Sequence, residues 1–186
     1  MKGVVFTEFL EMVETTFGPA VADKIIVDAQ LPTGGVYTAV GTYDHRELIA
    51  LVQQLSAVTN TPAGTLVIAF GRHLFERFAA GYPQFFTGVD SALVFLKNVE
   101  AYIHPEVRKL YPDAELPRFE ARDLDADSLE LIYRSSRHFA DLAEGLIQGC
   151  VAHFNDPLDL RRQALPDENG VQAVRFVLTR KPRAVA

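Results

Sequence analysis

The hydrophobic spacing of this chain changes its period at Pro117, and that change limits the folds open to it. Before Pro117 apolar residues recur at intervals of three and four, the mark of helices with one buried face. After it they alternate with polar residues, so that one face of each extended segment meets a core and the other meets solvent. A helical first part followed by strand, strand, helix, strand, strand implies an α+β fold: an N-terminal helical subdomain, then helices packed on a four-stranded antiparallel sheet. With 186 residues, 48% of them hydrophobic, the chain suits one domain with a substantial core.

Phe6, Phe9, Leu10, Val13 and Phe17 mark a first helix that stops at Gly18-Pro19. A short second helix is expected from about Ala20 to Asp28, and Leu31 to Gly35 reads as a loop. Asp44 and Glu47 have the spacing of a capping box ahead of Leu48, Leu51, Val52, Leu55 and Val58. Thr61 and Pro62 suit the N-cap and first position of a further helix through Leu66, Phe70, Leu74 and Phe78, ending near Gly81. Gly71 inside it costs about 1 kcal/mol relative to alanine, so either something bulky passes close to the backbone or the cost is tolerated. Leu93, Leu96, Val99 and Ile103 predict one more helix, with His104 at its far end and Pro105 directly after. Proline lacks a backbone donor and disfavours helical geometry at the residue before it. The helix should therefore bend, restart or end at His104.

Beyond Pro117, Phe119 and Ala121, an acidic turn over Asp123 to Asp127, and Leu129, Leu131 and Tyr133 predict a hairpin. Its second strand runs out through Tyr133-Arg134-Ser135-Ser136-Arg137. Alternate residues of an extended segment share a face, so Tyr133, Ser135 and Arg137 could converge as an anion clamp. A guanidinium holds a carboxylate or phosphate with two parallel bonds. A helix from about Phe139 to Phe154 follows, with Gly145 and Gly149 permitting close packing, then strands over Leu158 to Ala164 and Gln172 to Leu178 around a turn at Pro166 to Gly170.

A net charge of −6 and a pI near 5.3 argue against nucleic acid or a membrane surface as the main partner. No apolar run is long enough to span a bilayer, and Met1-Lys2-Gly3 leads into a helical pattern instead of a signal-peptide core, so the expected location is the cytoplasm. The single cysteine, Cys150, reads as a buried thiol. There is no phosphate loop, nucleophile elbow or zinc motif, and the five histidines are scattered.

Alone, the clamp also suits the exposed end of a strand, and a lone histidine suits an ordinary core or surface position. Together, one histidine at a helix break, a Tyr-x-Ser-x-Arg clamp roughly thirty residues on and many apolar side chains between them are the parts of a haem site. Met1-Lys2-Gly3, Ala69-Phe70-Gly71, Ile103-His104-Pro105-Glu106, Leu110-Tyr111-Pro112, Leu116-Pro117, Tyr133-x-Ser135-x-Arg137 and Glu144-Gly145-Leu146-Ile147-Gln148-Gly149 stand in the order and spacing of one family. The chain resembles the haem nitric oxide/oxygen binding proteins, the bacterial H-NOX sensors that share a fold with the haem domain of animal soluble guanylate cyclase.

That resemblance implies a single domain over 1–186, with a distal helical part at about 1–62 and a proximal α/β part at about 63–186, holding haem b. It makes His104 the axial ligand of the iron. Tyr133, Ser135 and Arg137 become the propionate clamp, and Pro117 a contact that helps distort the porphyrin. Val5, Phe9, Leu74, Phe78, Leu142 and Leu146 fall where the family lines the distal side, and His138 either touches a propionate or caps the following helix. Oxygen-binding members use a distal tyrosine where this chain has Leu142, which implies NO and CO as ligands, O₂ exclusion and a five-coordinate ferrous resting state. The implied partner, in a separate chain, is a histidine kinase or a cyclic-di-GMP enzyme, with no catalysis in the domain itself. An alternative is a binding module for an apolar carboxylate other than haem, which would use the clamp without His104. A haem-dependent peroxidase or NO scavenger would need a distal acid or base that the distal positions do not offer.

Overall fold

The computed structural model describes residues 1–182; positions 183–186, counted in the domain above, lie outside the described residues. The order is α1 (Gly3–Phe17), α2 (Pro19–Ala29), α3 (His45–Thr59), α4 (Ala63–Gly81), α5 (Ala92–Lys97), α6 (His104–Leu110), β1 (Arg118–Asp125), β2 (Ser128–Ser135), α7 (Ala140–His153), β3 (Leu158–Glu168) and β4 (Val171–Arg180). The strands form one antiparallel sheet in the order β1-β2-β4-β3, so two hairpins meet along the β2/β4 seam. The period change at Pro117 thus marks the passage from helices to sheet.

Local chemistry explains the boundaries. Gly18, at φ +90°, turns the chain between α1 and Pro19, the first residue of α2. The side chain of Asp44 accepts the Arg46 N–H at 2.9 Å, as an N-cap should. Glu47 does not complete the expected capping box. It turns inward and accepts hydroxyl bonds from Thr33 and, at 2.8 Å, Tyr37. α4 begins one residue later than the spacing suggests, with Pro62 in the capping position, while the Thr61 hydroxyl turns back to the Thr59 carbonyl.

The helix expected to run up to His104 is interrupted earlier. α5 is a short helix capped by Ser91, a π-helical turn occupies Val99–Ile103, and α6 restarts at His104. Pro105 explains the widening, because its ring crowds the carbonyl four residues back and it has no N–H to offer. The chain responds with longer loops, from the Ile103 N–H to the Asn98 carbonyl at 3.3 Å and from the His104 N–H to Val99. The last hairpin is longer than its pattern predicts and turns on Asn169-Gly170, both with positive φ.

Two apolar cores result. Phe6, Phe9, Ile25, Leu48, Leu51 and Leu55 fill one, together with Leu66, Phe70 and Leu74 of α4. Leu129, Leu131, Val174, Phe176 and Leu178 of the sheet form the other, beneath Phe75, Phe95 and Ile147. α4 therefore serves both, and it crosses α7 at glycines. A Cβ on Gly71 would stand 2.6 Å from the Leu142 carbonyl oxygen and 2.7 Å from Gly145 Cα. What passes close to the backbone there is the backbone of α7. Gly145→Ala, whose new carbon would press on the Ile68 carbonyl, should destabilise the fold by about 1–3 kcal/mol, read as a lower denaturation midpoint with the transition slope unchanged.

Candidate cofactor site

Between the two cores lies a cavity of about 790 Å³, walled by α1, α4, α6, α7, the end of β2 and the segment that leads into β1. That volume falls in the range of small-molecule and cofactor sites. His104, the first residue of α6, lines it and is only 7% exposed. Nδ1 lies 3.0 Å from Glu100 Oε2, and the same oxygen accepts the Phe119 N–H at 3.1 Å. Burial pushes the imidazole pKa below its ordinary value, against the opposing pull of the Glu100 charge. A neutral ring that donates from Nδ1 keeps its lone pair on Nε2, the nitrogen for which the described residues provide no hydrogen bond.

Tyr133, near the end of β2, is 2% exposed, and burial raises its phenol pKa. Its oxygen accepts the Phe139 N–H at 3.2 Å, and Gln172 Oε1 accepts the Ala140 N–H at 3.3 Å. These two side chains, and not His138, cap α7. His138 stands at φ +57° with Nε2 3.2 Å from the Gly170 carbonyl, which ties it to the β3–β4 turn. The Ser135 hydroxyl accepts the Arg137 N–H at 3.1 Å, so the chain has already turned at this point. Arg137 joins Tyr133 and Ser135 at the cavity through that turn, not as the next rung of an extended strand. Arg134 donates to Glu120 at 3.3 Å.

Val5, Leu74, Phe78, Leu142 and Leu146 line the cavity, as does Pro117. Phe9 does not. It is fully buried in the helical core, edge-on to Phe70 with ring centroids 5.2 Å apart. α1 exposes Val4 and Val5 to the cavity and keeps Phe9, one turn on, for its own core.

Sequence reasoning missed the fastenings of the segment after α6. The Tyr111 hydroxyl meets that of Tyr82 at 3.2 Å, which with burial raises the Tyr82 pKa to about 12. Asp113 accepts from Lys2 Nζ at 3.0 Å and from the Thr42 hydroxyl. Glu115 pairs with the Arg137 guanidinium. Residues 111–117 thus form a strap tied in turn to the end of α4, to the N-terminal helices and to the clamp. The missed partner of His104 had a signal, since Glu100 sits four residues before it. Cys150, by contrast, lies where it was expected: fully buried, with its thiol pKa pushed up by that burial.

Among the described residues no group of three or more His, Cys, Asp or Glu side chains could hold a bare metal ion, and no helix is long and apolar enough to cross a membrane. The donor set has one buried imidazole nitrogen and, from the clamp, a guanidinium with two hydroxyls; Lys2, Glu115, Arg134 and the paired Tyr82 and Tyr111 add further polar groups to a lining that is otherwise mostly apolar. It suits a large apolar group that carries its own metal and ends in carboxylates, as haem does.

Comparison with known proteins agrees. The family model described as Haem-NO-binding matches residues 2–162. The Fe(II) unliganded H-NOX protein from K. algicida superposes with a TM-score of 0.90 at 38% identity, over 98% of each chain. The H-NOX from Shewanella woodyi, solved in the Fe(II)CO state with IWP-051 bound, gives 0.81 at 38% identity, over 100% of this chain and 97% of that one. An H-NOX protein mutant from S. oneidensis in the Fe(II) state gives 0.89 at 26%, over 100% and 98%. The fold and site define a haem-binding gas-sensor domain. The chain belongs to the Haem-NO-binding, or H-NOX, family.

The strap offers a test by acid. The Thr42 hydroxyl and the Lys2 ammonium hold the Asp113 pKa at about 2, below its ordinary 3.8. A carboxyl with a depressed folded-state pKa stabilises the fold above its ordinary pKa and loses that contribution as pH falls through the folded value. The difference in denaturation midpoint between wild type and Asp113→Asn should be full above pH 3.8 and fade as the pH drops towards about 2. A difference constant through that interval would show that the carboxylate is not engaged.

Proposed function

We propose that this domain senses NO at ferrous haem b, also takes CO, and excludes O₂. The observation that carries the reading is the pairing of one buried neutral imidazole with a distal set, Val5, Leu74, Phe78, Leu142 and Leu146, made only of hydrocarbon. When bound, haem would supply the ferrous iron that takes the gas, and His104 is the residue that would hold that iron. His104 holds the iron through Nε2, with Nδ1 committed to Glu100. Arg137, Tyr133 and Ser135 hold the propionate edge. The distal side chains keep water out and offer no donor. A ligand that draws negative charge onto its outer atom, as O₂ does, gains nothing from them, whereas NO needs no such bond. The hydroxyls of Tyr82 and Tyr111, which also line the cavity, are bonded to each other.

Release of His104 would free α6 to move, and the strap, tied to Lys2 and Arg137, would carry that displacement towards both. Pro117, on the cavity wall, would pack against the bound group and favour its distortion. Residues of about 1–62 and 63–186 act in this reading as distal and proximal parts of one domain. The output goes in trans to a bacterial histidine kinase or cyclic-di-GMP enzyme in the cytoplasm, and the domain itself does no catalysis.

The anaerobically reduced protein should give the Soret spectrum of five-coordinate high-spin haem, shift with NO and with CO, and return unchanged from brief exposure to air. A stable oxygen complex would overturn the selectivity, and a purified protein that takes up no haem would favour a module for another apolar carboxylate. His104→Gly supplied with free imidazole should bind haem and NO yet lose NO-dependent control of its partner. Intact control in that variant would rule out transmission through α6.

A further inference from the structure

We propose that Glu100 is a positioning residue that fixes the ring of His104 and sets the strength of its bond to iron, and so how readily NO releases it. The inference rests on the haem reading above. One carboxylate oxygen, Glu100 Oε2, meets two donors at once, Nδ1 of His104 at 3.0 Å and the N–H of Phe119 at 3.1 Å. The two donors come from different places, the first turn of α6 and the start of β1. Glu100 lies in the π-helical turn before Pro105, four residues before His104, the spacing at which two helical side chains meet. Phe119 N–H holds the oxygen from the opposite side, and the Phe119 ring stands 6.0 Å from that of His104.

A carboxylate that accepts from one nitrogen of a metal-bound histidine fixes the tautomer and ring plane and raises the basicity of the other nitrogen; loss of such a partner typically lowers metal affinity about 10- to 100-fold. Glu100 therefore strengthens the bond that NO must break. It also links the ring to β1, the strand that follows Pro117.

The test compares ferrous wild type with Glu100→Gln, which keeps an oxygen for the Phe119 N–H and removes the charge. The iron–histidine stretch in the resonance Raman spectrum should move to lower frequency, and NO should convert the protein to the five-coordinate form about 10-fold faster or more. The melting temperature should change little. An unchanged stretch with a lowered melting temperature would mean that Glu100 only ties the π turn to β1, and would overturn the proposal. Should Glu100→Gln fail to fold, His104→Gly loaded with imidazole or with 1-methylimidazole asks the same question with Glu100 intact. Imidazole keeps its one N–H to donate and 1-methylimidazole has none, so the gap between the two iron–ligand stretches should exceed the gap for the same ligands on haem in detergent; equal gaps overturn the proposal. A wild-type protein without a Soret band would overturn the haem reading and this inference together, whereas a normal Soret band with an insensitive stretch overturns this inference alone.

Discussion

α4 and α7 wall the same cavity with their backbones locked together, and what locks them is the absence of side chains. Gly71 and Gly145 face each other with no room for a single added carbon on either. The contact fixes the rotation of both helices, and with it the directions of Leu74 and Phe78 from one and Leu142 and Leu146 from the other. That wall of the cavity is therefore a consequence of backbone packing. Gly149 extends the contact, set against Phe75 where α4 enters the sheet core.

The wall that carries His104 follows the opposite logic, because it is built from irregular backbone. Pro105 denies its helix one hydrogen bond, the turn before it widens, and Glu100 of that turn meets the His104 ring. α6 is short and followed directly by a strap held by side chains, not by a core. One wall of the cavity is thus rigid through close packing, and the other is held by polar bonds that can exchange for water. Such polar contacts lie at the low-stability end of a structure, from which moving elements are drawn.

The physical reach of sequence patterns explains which parts were legible. Periodicity records burial along a segment, so the main helices, the four strands and the passage from one to the other at Pro117 can be read from it, as can the clamp residues and His104. It does not say which core a buried face meets, and Phe9, apolar and correctly spaced, belongs to the helical core and not to the cavity. Nor does spacing decide between two partners of one carboxylate. Glu47 stands at capping-box distance yet takes hydroxyls from Thr33 and Tyr37, 14 and 10 residues away. Pro105 announces a disrupted helix without saying that the disruption falls upstream. The Arg137–Glu115 pair spans 22 residues and no local rule, whereas Glu100 and His104, at i,i+4, were open to reading and passed over.

Cys150 gives the design a further property. NO and the oxidants it forms with oxygen attack thiolates, and reactivity of this kind follows thiolate fraction and access. The one sulfhydryl of this chain has neither, being sealed between α7 and the sheet with its proton held tightly. Such oxidants therefore meet no accessible thiolate on the domain, because its one cysteine is closed to them.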